Sequence, residues 1–184
     1  MSKESRLRAL YANGFDEGFD RGFDEGFEMQ NLISALPVLC FCVAVVLGFL
    51  DVPQPLGSGD LSPYTQWLLS IGLGVPSLWA AFSHAVFTDR VAQSIGWTPS
   101  PFQKEIAGAN LGIGLGAIAA SALGPKAAWV MTIVAAGFLW SAAATHVGDM
   151  VRRKNFAINN AGPIFWWDIL TPLVLLISLV LGAG

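Results

Sequence analysis

Residues 106–123 read IAGANLGIGLGAIAASAL, a stretch of 18 residues without a charged side chain. At a rise of 1.5 Å per residue, a helix of this length extends about 27 Å, close to the thickness of the hydrocarbon core of a bilayer. Four similar apolar runs flank it, at 32–50, 64–87, 127–147 and 164–181. The pattern predicts an all-α fold, a polytopic bundle of five transmembrane helices that occupies residues 31–184.

The composition supports a membrane protein and argues against a soluble domain. Apolar residues make up 54% of the chain and charged residues only 12%, and 20 of the 184 residues are Gly. Soluble domains carry about 25% charged residues. The polar segments between the apolar runs have the size of loops, so no large domain outside the bilayer is expected.

The basic residues between the runs fall almost entirely on one side of the predicted membrane. Alternate connections hold nine Lys and Arg on one side against a single residue, Lys126, on the other. Because cytoplasmic loops carry the excess of basic residues, this imbalance places the N-terminus in the cytoplasm. The C-terminus is then periplasmic or extracellular, and the expected location is the inner membrane of a bacterial cell.

The segment before the first run carries the only internal repeat of the chain. Residues 14–29 read GFDEGFDRGFDEGFEM. On a helix the four aromatic residues form one slanting stripe with acidic residues opposite, so residues 1–30 are predicted to form a cytoplasmic amphipathic helix. The stripe consists of Phe15, Phe19, Phe23 and Phe27.

This repeat helix needs a partner surface, because each of its four Gly costs about 1 kcal/mol relative to Ala. The favoured partner is a second copy of the chain or another subunit of a larger membrane complex, with Phe side chains filling the notches left by Gly. The membrane interface and a disordered acidic tail are the alternatives. The net charge of −3 hides the strongly acidic character of this segment.

The third run carries a stripe of small residues. Gly108, Gly112 and Gly116 recur every four residues, which allows another helix to approach closely. Packing inside the bundle, an interface between subunits and a face that contacts a cofactor are the possible uses. In each case the stripe makes this helix a central one.

Polar residues at the ends of the apolar runs are the candidate functional residues. Alternation of the runs brings all of them to the cytoplasmic end of the bundle. A carboxylate inside a membrane needs a partner or a water-filled cavity. The residues of this polar layer are His84, Glu105, His146, Asp149 and Asp168.

Four uses of the layer fit these residue types. A mononuclear zinc, iron or manganese site would take two His and one or two carboxylates, and a b-type haem would lie between His84 and His146. A proton or ion relay would belong to a small transporter or channel. In the fourth, the groups only tie helix ends together, with Arg90 or Arg152. The cofactor is therefore unknown, and none is favoured.

Two segments carry a resemblance to a known family. Residues 96–105 read GWTPSPFQKE, and residues 160–172 read NAGPIFWWDILTP. With these motifs the chain resembles an uncharacterised prokaryotic family of small multi-span membrane proteins, described as a domain of unknown function, over roughly residues 64–181. The resemblance implies the membrane class and no activity, and it does not include the Phe repeat.

Other classes of function find little support. The Gly-rich residues 112–116 lie inside an apolar run and not after a strand, so they do not form a phosphate loop, and the basic residues 152–154 are too few to recognise nucleic acid. No Ser or Cys has the spacing of a catalytic nucleophile. The sequence thus favours a structural, accessory or self-assembling membrane protein over an enzyme, with a transporter or channel and then a metal or haem redox protein as alternatives.

The charge asymmetry generates a topological prediction. Reporter tags fused to the two termini should report opposite sides of the membrane, because an odd number of spans separates them. The measurement is reporter activity, or protease access to each tag, in intact cells and in inverted vesicles. Two cytoplasmic termini would show that one of the five spans does not cross.

Overall fold

The computed structural model describes residues 29–57 and 60–182, and this part of the chain consists of helices and their connections. The described residues from Ile33 onward form one compact unit, the helical bundle. Its elements in chain order are α1 (Met29–Phe49), α2 (Pro63–Val86), α3 (Thr88–Ile95), α4 (Phe102–Leu123), α5 (Pro125–Arg153), α6 (Ile158–Ala161) and α7 (Pro163–Leu181).

Four helices are long and apolar enough to cross a membrane. They are α2, α4, α5 and the continuous segment Ile158–Leu181, which joins α6 to α7. Helix α1 contributes the shorter apolar stretch Ser34–Phe49. Four of the five predicted runs therefore correspond to long apolar helices, and the fifth span stays a prediction. The Phe repeat of residues 14–28 lies outside the described residues.

The outward faces of the long helices carry large apolar side chains. Val130 and Ile133 of α5 are 64% and 62% exposed, and Val180 of α7 is 63% exposed. The inner core is also apolar and includes Leu69, Leu73 and Leu175, each fully buried. Helices that are apolar on both faces are typical of a bilayer environment, where lipid replaces water around the bundle.

Helix α2 is not a regular α-helix throughout. Residues Leu68–Gly74 form a π-helical segment, and Pro76 follows two residues later. Because proline has no N–H, Pro76 cannot donate to the carbonyl of Gly72, four residues earlier. The Gly72 oxygen instead accepts a hydrogen bond from the indole Nε1 of Trp167, at 3.2 Å. The irregular segment thus joins α2 to the first turns of α7.

Two glycines let α2 and α4 approach closely. A Cβ atom built on Gly114 would lie 2.8 Å from the Leu78 side chain and 3.0 Å from the Gly74 carbonyl oxygen, and one built on Gly74 would lie 2.7 Å from Ile118. Real Cβ atoms do not come so near backbone or branched side chains. The crossing of these helices therefore requires Gly at both positions.

This contact lies on a different face of α4 from the predicted stripe. Within the described part of the chain, a Cβ atom on Gly108 or Gly112 would meet nothing within 4 Å, whereas one on Gly116 would lie 2.6 Å from the sulfur of Met131. Among the described residues the stripe packs inside the bundle at Gly116 only, and the use of Gly108 and Gly112 stays a prediction. The four-residue spacing correctly identified a face of small residues on α4, but α2 packs against a different face, which includes Gly114.

Leucine substitutions on the two faces of α4 should separate their roles. Gly114→Leu should destabilise the fold by about 1–3 kcal/mol, because the added atoms overlap Leu78 and the backbone of Gly74. Gly112→Leu adds the same atoms to open space and should leave the melting temperature unchanged. The measurement is thermal unfolding of both purified variants. Equal melting temperatures would contradict the assigned crossing.

Candidate functional site

A cavity of about 290 Å³ lies at the end of the bundle where α2 and α5 finish and α4 and α7 begin. Residues from α1, α2, α3, α4, α5 and the segment Ile158–Leu181 form its wall. The described residues of the connection 51–62 do not contribute. Three of the predicted functional residues, His84, His146 and Asp168, line it together. Membrane bundles commonly build ligand sites between their helices in this way.

Most of the cavity wall is apolar, and five aromatic rings contribute to it. Trp167 is 6% exposed and Phe102 is 59% exposed, so the rings range from the buried core to the outer surface. The five residues are Trp79, Trp97, Phe102, Phe138 and Trp167. An apolar wall with a few polar groups is the usual lining of a site for a small organic molecule.

His146 is held in one orientation by a neighbouring amide. Its Nδ1 lies 2.7 Å from Oδ1 of Asn160, whose Nδ2 donates to the backbone oxygen of Asn155 at 2.8 Å. Because the Asn160 amide group must present its NH₂ to a carbonyl, its oxygen faces the imidazole, and Nδ1 of His146 is the donor. In the neutral ring Nε2 is then an acceptor.

Asp168 lies on the other side of that imidazole. Its Oδ2 is 3.8 Å from Nε2 of His146, too long for a hydrogen bond, and the side chain is only 6% exposed. Among residues 29–57 and 60–182 it forms no hydrogen bond. A mostly buried carboxyl group that faces an imidazole at 3.8 Å and has no hydrogen bond costs free energy, so its presence in the wall points to a reason other than stability.

His84 approaches the cavity from α2. Its Nδ1 lies 2.5 Å from Oε1 of Gln103, a buried residue in the first turn of α4. This contact joins the end of α2 to the start of α4. As with His146, an amide oxygen occupies Nδ1 and leaves Nε2 for other contacts.

Asp149 has a different role from the other members of the predicted layer. Its Oδ2 accepts hydrogen bonds from Nε1 of Trp97 at 3.0 Å and from Nδ2 of Asn155 at 2.7 Å, and its Oδ1 lies 3.3 Å from Nε of Arg153. The carboxylate is not part of the cavity wall. It joins the end of α5 to the segment that follows α3.

The chain places Trp97 by a left-handed turn at Gly96. Gly96 has φ +83°, and the N–H groups of Gly96 and Trp97 donate to the carbonyls of Gln93 and Ala92, the two bonds of a Schellman cap that ends α3. The Trp97 ring then stacks on His146, with ring centroids 5.7 Å apart and planes inclined by 19°. A Cβ atom on Gly96 would also lie 2.7 Å from Asn155.

Several polar atoms of wall residues have no hydrogen-bond partner among the described residues. They are Trp79 Nε1, Ser83 Oγ and Asn159 Oδ1. Nδ2 of Asn159 donates to Ser94 Oγ at 3.0 Å, and that hydroxyl donates to the carbonyl of Val91 at 2.8 Å. Since Ser94 uses its only hydrogen there, the oxygen of the Asn159 amide must be the free atom.

The predicted layer is therefore only partly assembled. Glu105 lies on the exposed surface of α4, and the three donors around Asp149 occupy its carboxylate. Within the described part of the chain no group of three His, Cys, Asp or Glu is arranged to hold a metal ion. A b-type haem stays an expectation from the two histidines alone.

The sequence analysis missed the amide residues that orient the histidines. Gln103 and Asn160 lie within the two segments that carry the family resemblance, beside the charged residues that drew attention first. The signal that could have identified them is an amide side chain within one turn of an apolar run. Asn159 gives the same signal.

Comparison with known protein families identifies the family of this chain. The profile of a family of unknown function, DUF6790, matches residues 30–183. No significant match was found among curated proteins or among solved structures. Because the match covers most of the chain, including every element that forms the cavity, this protein belongs to the DUF6790 family.

Proposed function

We propose that this protein is an integral membrane protein that binds a small organic solute in the cavity at one end of its bundle and carries it across the bilayer. The observation that supports this most directly is Asp168, a buried carboxyl group in the cavity wall that has no hydrogen bond to the described residues. Intramembrane ionisable groups of this kind mark pathways for substrates and ions.

An architectural layer would look different. Its polar groups would satisfy one another, as the carboxylate of Asp149 does with Trp97, Asn155 and Arg153. Asp168 and Asn159 lie at the same end of the bundle, yet each keeps acceptor capacity that no neighbour uses. A bound molecule is the partner that would offset the cost of burying them.

The competing proposal is the structural, accessory or self-assembling role that the sequence favoured. It is supported by Gly108 and Gly112, which leave an open face on α4 where a second copy or another subunit could approach. Both proposals share a setting in the inner membrane with five spans, a cytoplasmic N-terminus and the cavity at the cytoplasmic end. The solute-binding proposal is preferred because open small residues also pack against lipid, whereas an unsatisfied buried carboxyl group does not arise from lipid contact.

Substitution of the two aspartates should have opposite effects on stability. Asp168→Asn should leave the melting temperature unchanged or raise it, because no described hydrogen bond is lost. Asp149→Asn should lower the free energy of unfolding by about 1.5–3 kcal/mol for each charge-assisted hydrogen bond that the amide cannot replace. Thermal unfolding of the purified variants measures both. A large loss of stability for Asp168→Asn would support the architectural role.

Access to the cavity can be measured with a pair of buried serines on α2. Ser83 is 1% exposed and belongs to the cavity wall, whereas Ser77 is fully buried and does not. In a background in which Cys40 and Cys42 are changed to Ala, Ser83→Cys should react with a small thiol reagent such as methyl methanethiosulfonate. Ser77→Cys should stay unreactive.

The same pair tests transport. A charged, membrane-impermeant methanethiosulfonate applied to reconstituted vesicles should modify Ser83→Cys from either side, because a carrier exposes its site to both sides in turn. Modification from one side only would contradict transport while keeping the binding site. No modification from either side, with the small reagent also excluded, would overturn the proposal.

A further inference from the structure

Two acceptors face each other in the cavity wall, the carboxyl group of Asp168 and Nε2 of His146, and this pair indicates the chemistry of the solute. Among the described residues, the wall contains one carboxyl group, Asp168, and neither Lys nor Arg. We propose that the cavity binds a small primary amine in its ammonium form, with the nitrogen between Asp168 and His146 and the apolar body against the aromatic rings. This inference rests on the proposed solute-binding function and specifies its ligand.

The geometry of the two acceptors suits one nitrogen donor. Oδ2 of Asp168 and Nε2 of His146 are 3.8 Å apart. A single nitrogen can lie about 2.8 Å from both, within the range of a charge-assisted hydrogen bond. An ammonium group carries three N–H donors, enough for both acceptors and for one more.

The tautomer of His146 is what makes its Nε2 an acceptor. Nδ1 donates to Asn160, whose amide is itself oriented by the backbone oxygen of Asn155. Asn159 adds a further acceptor to the wall, because its Oδ1 has no partner among the described residues. Around Asp168 and His146 the wall is thus arranged for a donor, while the indole N–H of Trp79 and the hydroxyl of Ser83, unpartnered in the described part of the chain, remain for other polar groups of the solute.

The aromatic rings complete a site for a cation with an apolar body. Trp97 lies over the imidazole of His146, so a ring face adjoins the site proposed for the nitrogen. Trp79 and Trp167 belong to the same wall. Cations are attracted to the faces of such rings, most strongly to Trp, and the effect grows when water is excluded.

Other ligand classes fit less well. An anion would face the carboxyl group of Asp168 without any basic residue in the wall to balance it. A transition-metal ion would need at least three ligands, and no such group is present in residues 29–57 and 60–182. A neutral alcohol would use the apolar wall but would not neutralise Asp168, so it should bind more weakly than the amine of the same shape.

Phenethylamine and 2-phenylethanol test this difference, because they share one apolar body and differ in the donor group. Titration calorimetry of the full chain in nanodiscs, with empty nanodiscs subtracted, should give at least about tenfold tighter binding for the amine, the ratio expected from one charge-assisted hydrogen bond. Asp168→Asn should abolish that preference while keeping the weaker binding of the alcohol. Asp89→Asn removes the same charge from an exposed position on α3 and should keep the preference.

The results distinguish the amine inference from the more general proposal that the cavity binds a solute. Equal affinities for amine and alcohol in the wild type would overturn the amine inference and leave the solute-binding function standing. A preference that persists in Asp168→Asn would also overturn it, since the nitrogen would then lie elsewhere. If neither compound binds, the amine inference fails, and the reactivity of Ser83→Cys decides whether the cavity admits small molecules at all.

Discussion

The cavity end of the bundle depends on the hydrogen bonds that the carboxylate of Asp149 accepts. It accepts hydrogen bonds from Trp97 and Asn155 and lies beside Arg153, so one side chain joins the end of α5 to the segment that follows α3 and to the segment that follows α5. Asn155 extends the connection to the backbone of Ile95 at 2.8 Å. Since hydrogen bonds to a charged group are about twice as strong as neutral ones, this cluster can hold the two loops together.

Aromatic and amide side chains connect the hydrogen bonds of Asp149 to the cavity wall. The indole N–H of Trp97 donates to Asp149, and the Trp97 ring stacks on the imidazole of His146. The backbone oxygen of Asn155 accepts a hydrogen bond from the Asn160 amide, whose oxygen in turn orients that imidazole. The two aspartates at this end therefore divide two tasks. The carboxylate of Asp149 accepts hydrogen bonds that stabilise the fold, whereas Asp168 forms no hydrogen bond with the described residues, and on this ground we propose it as the group that a molecule in the cavity would contact.

Deeper in the bundle, backbone geometry positions the opposite wall. Pro76 leaves the Gly72 carbonyl without its helical donor, and Trp167 takes that place, so the indole on α7 is anchored to α2. The close approach at Gly74 and Gly114 holds α4 against the same part of α2. A π-helical segment beside a buried ring is a common feature of functional sites, since it re-aims carbonyl groups without ending the helix.

The sequence by itself determined the helical class, the approximate positions of four apolar helices and the placement of His84, His146 and Asp168 at one end of the bundle. These follow from local composition, because an apolar run of sufficient length must satisfy its backbone by forming a helix. The rotation of each helix about its axis was decided only by the tertiary structure. Gln103 and Glu105 are two residues apart and point to nearly opposite sides of α4, and the amide, not the charged residue that the sequence favoured, faces the bundle. The same rotation places Gly114 against α2 and leaves Gly112 open. Contacts between residues distant in the chain, such as Trp97 with Asp149 and Ser94 with Asn159, depend on how the helices pack, and no local pattern specifies them.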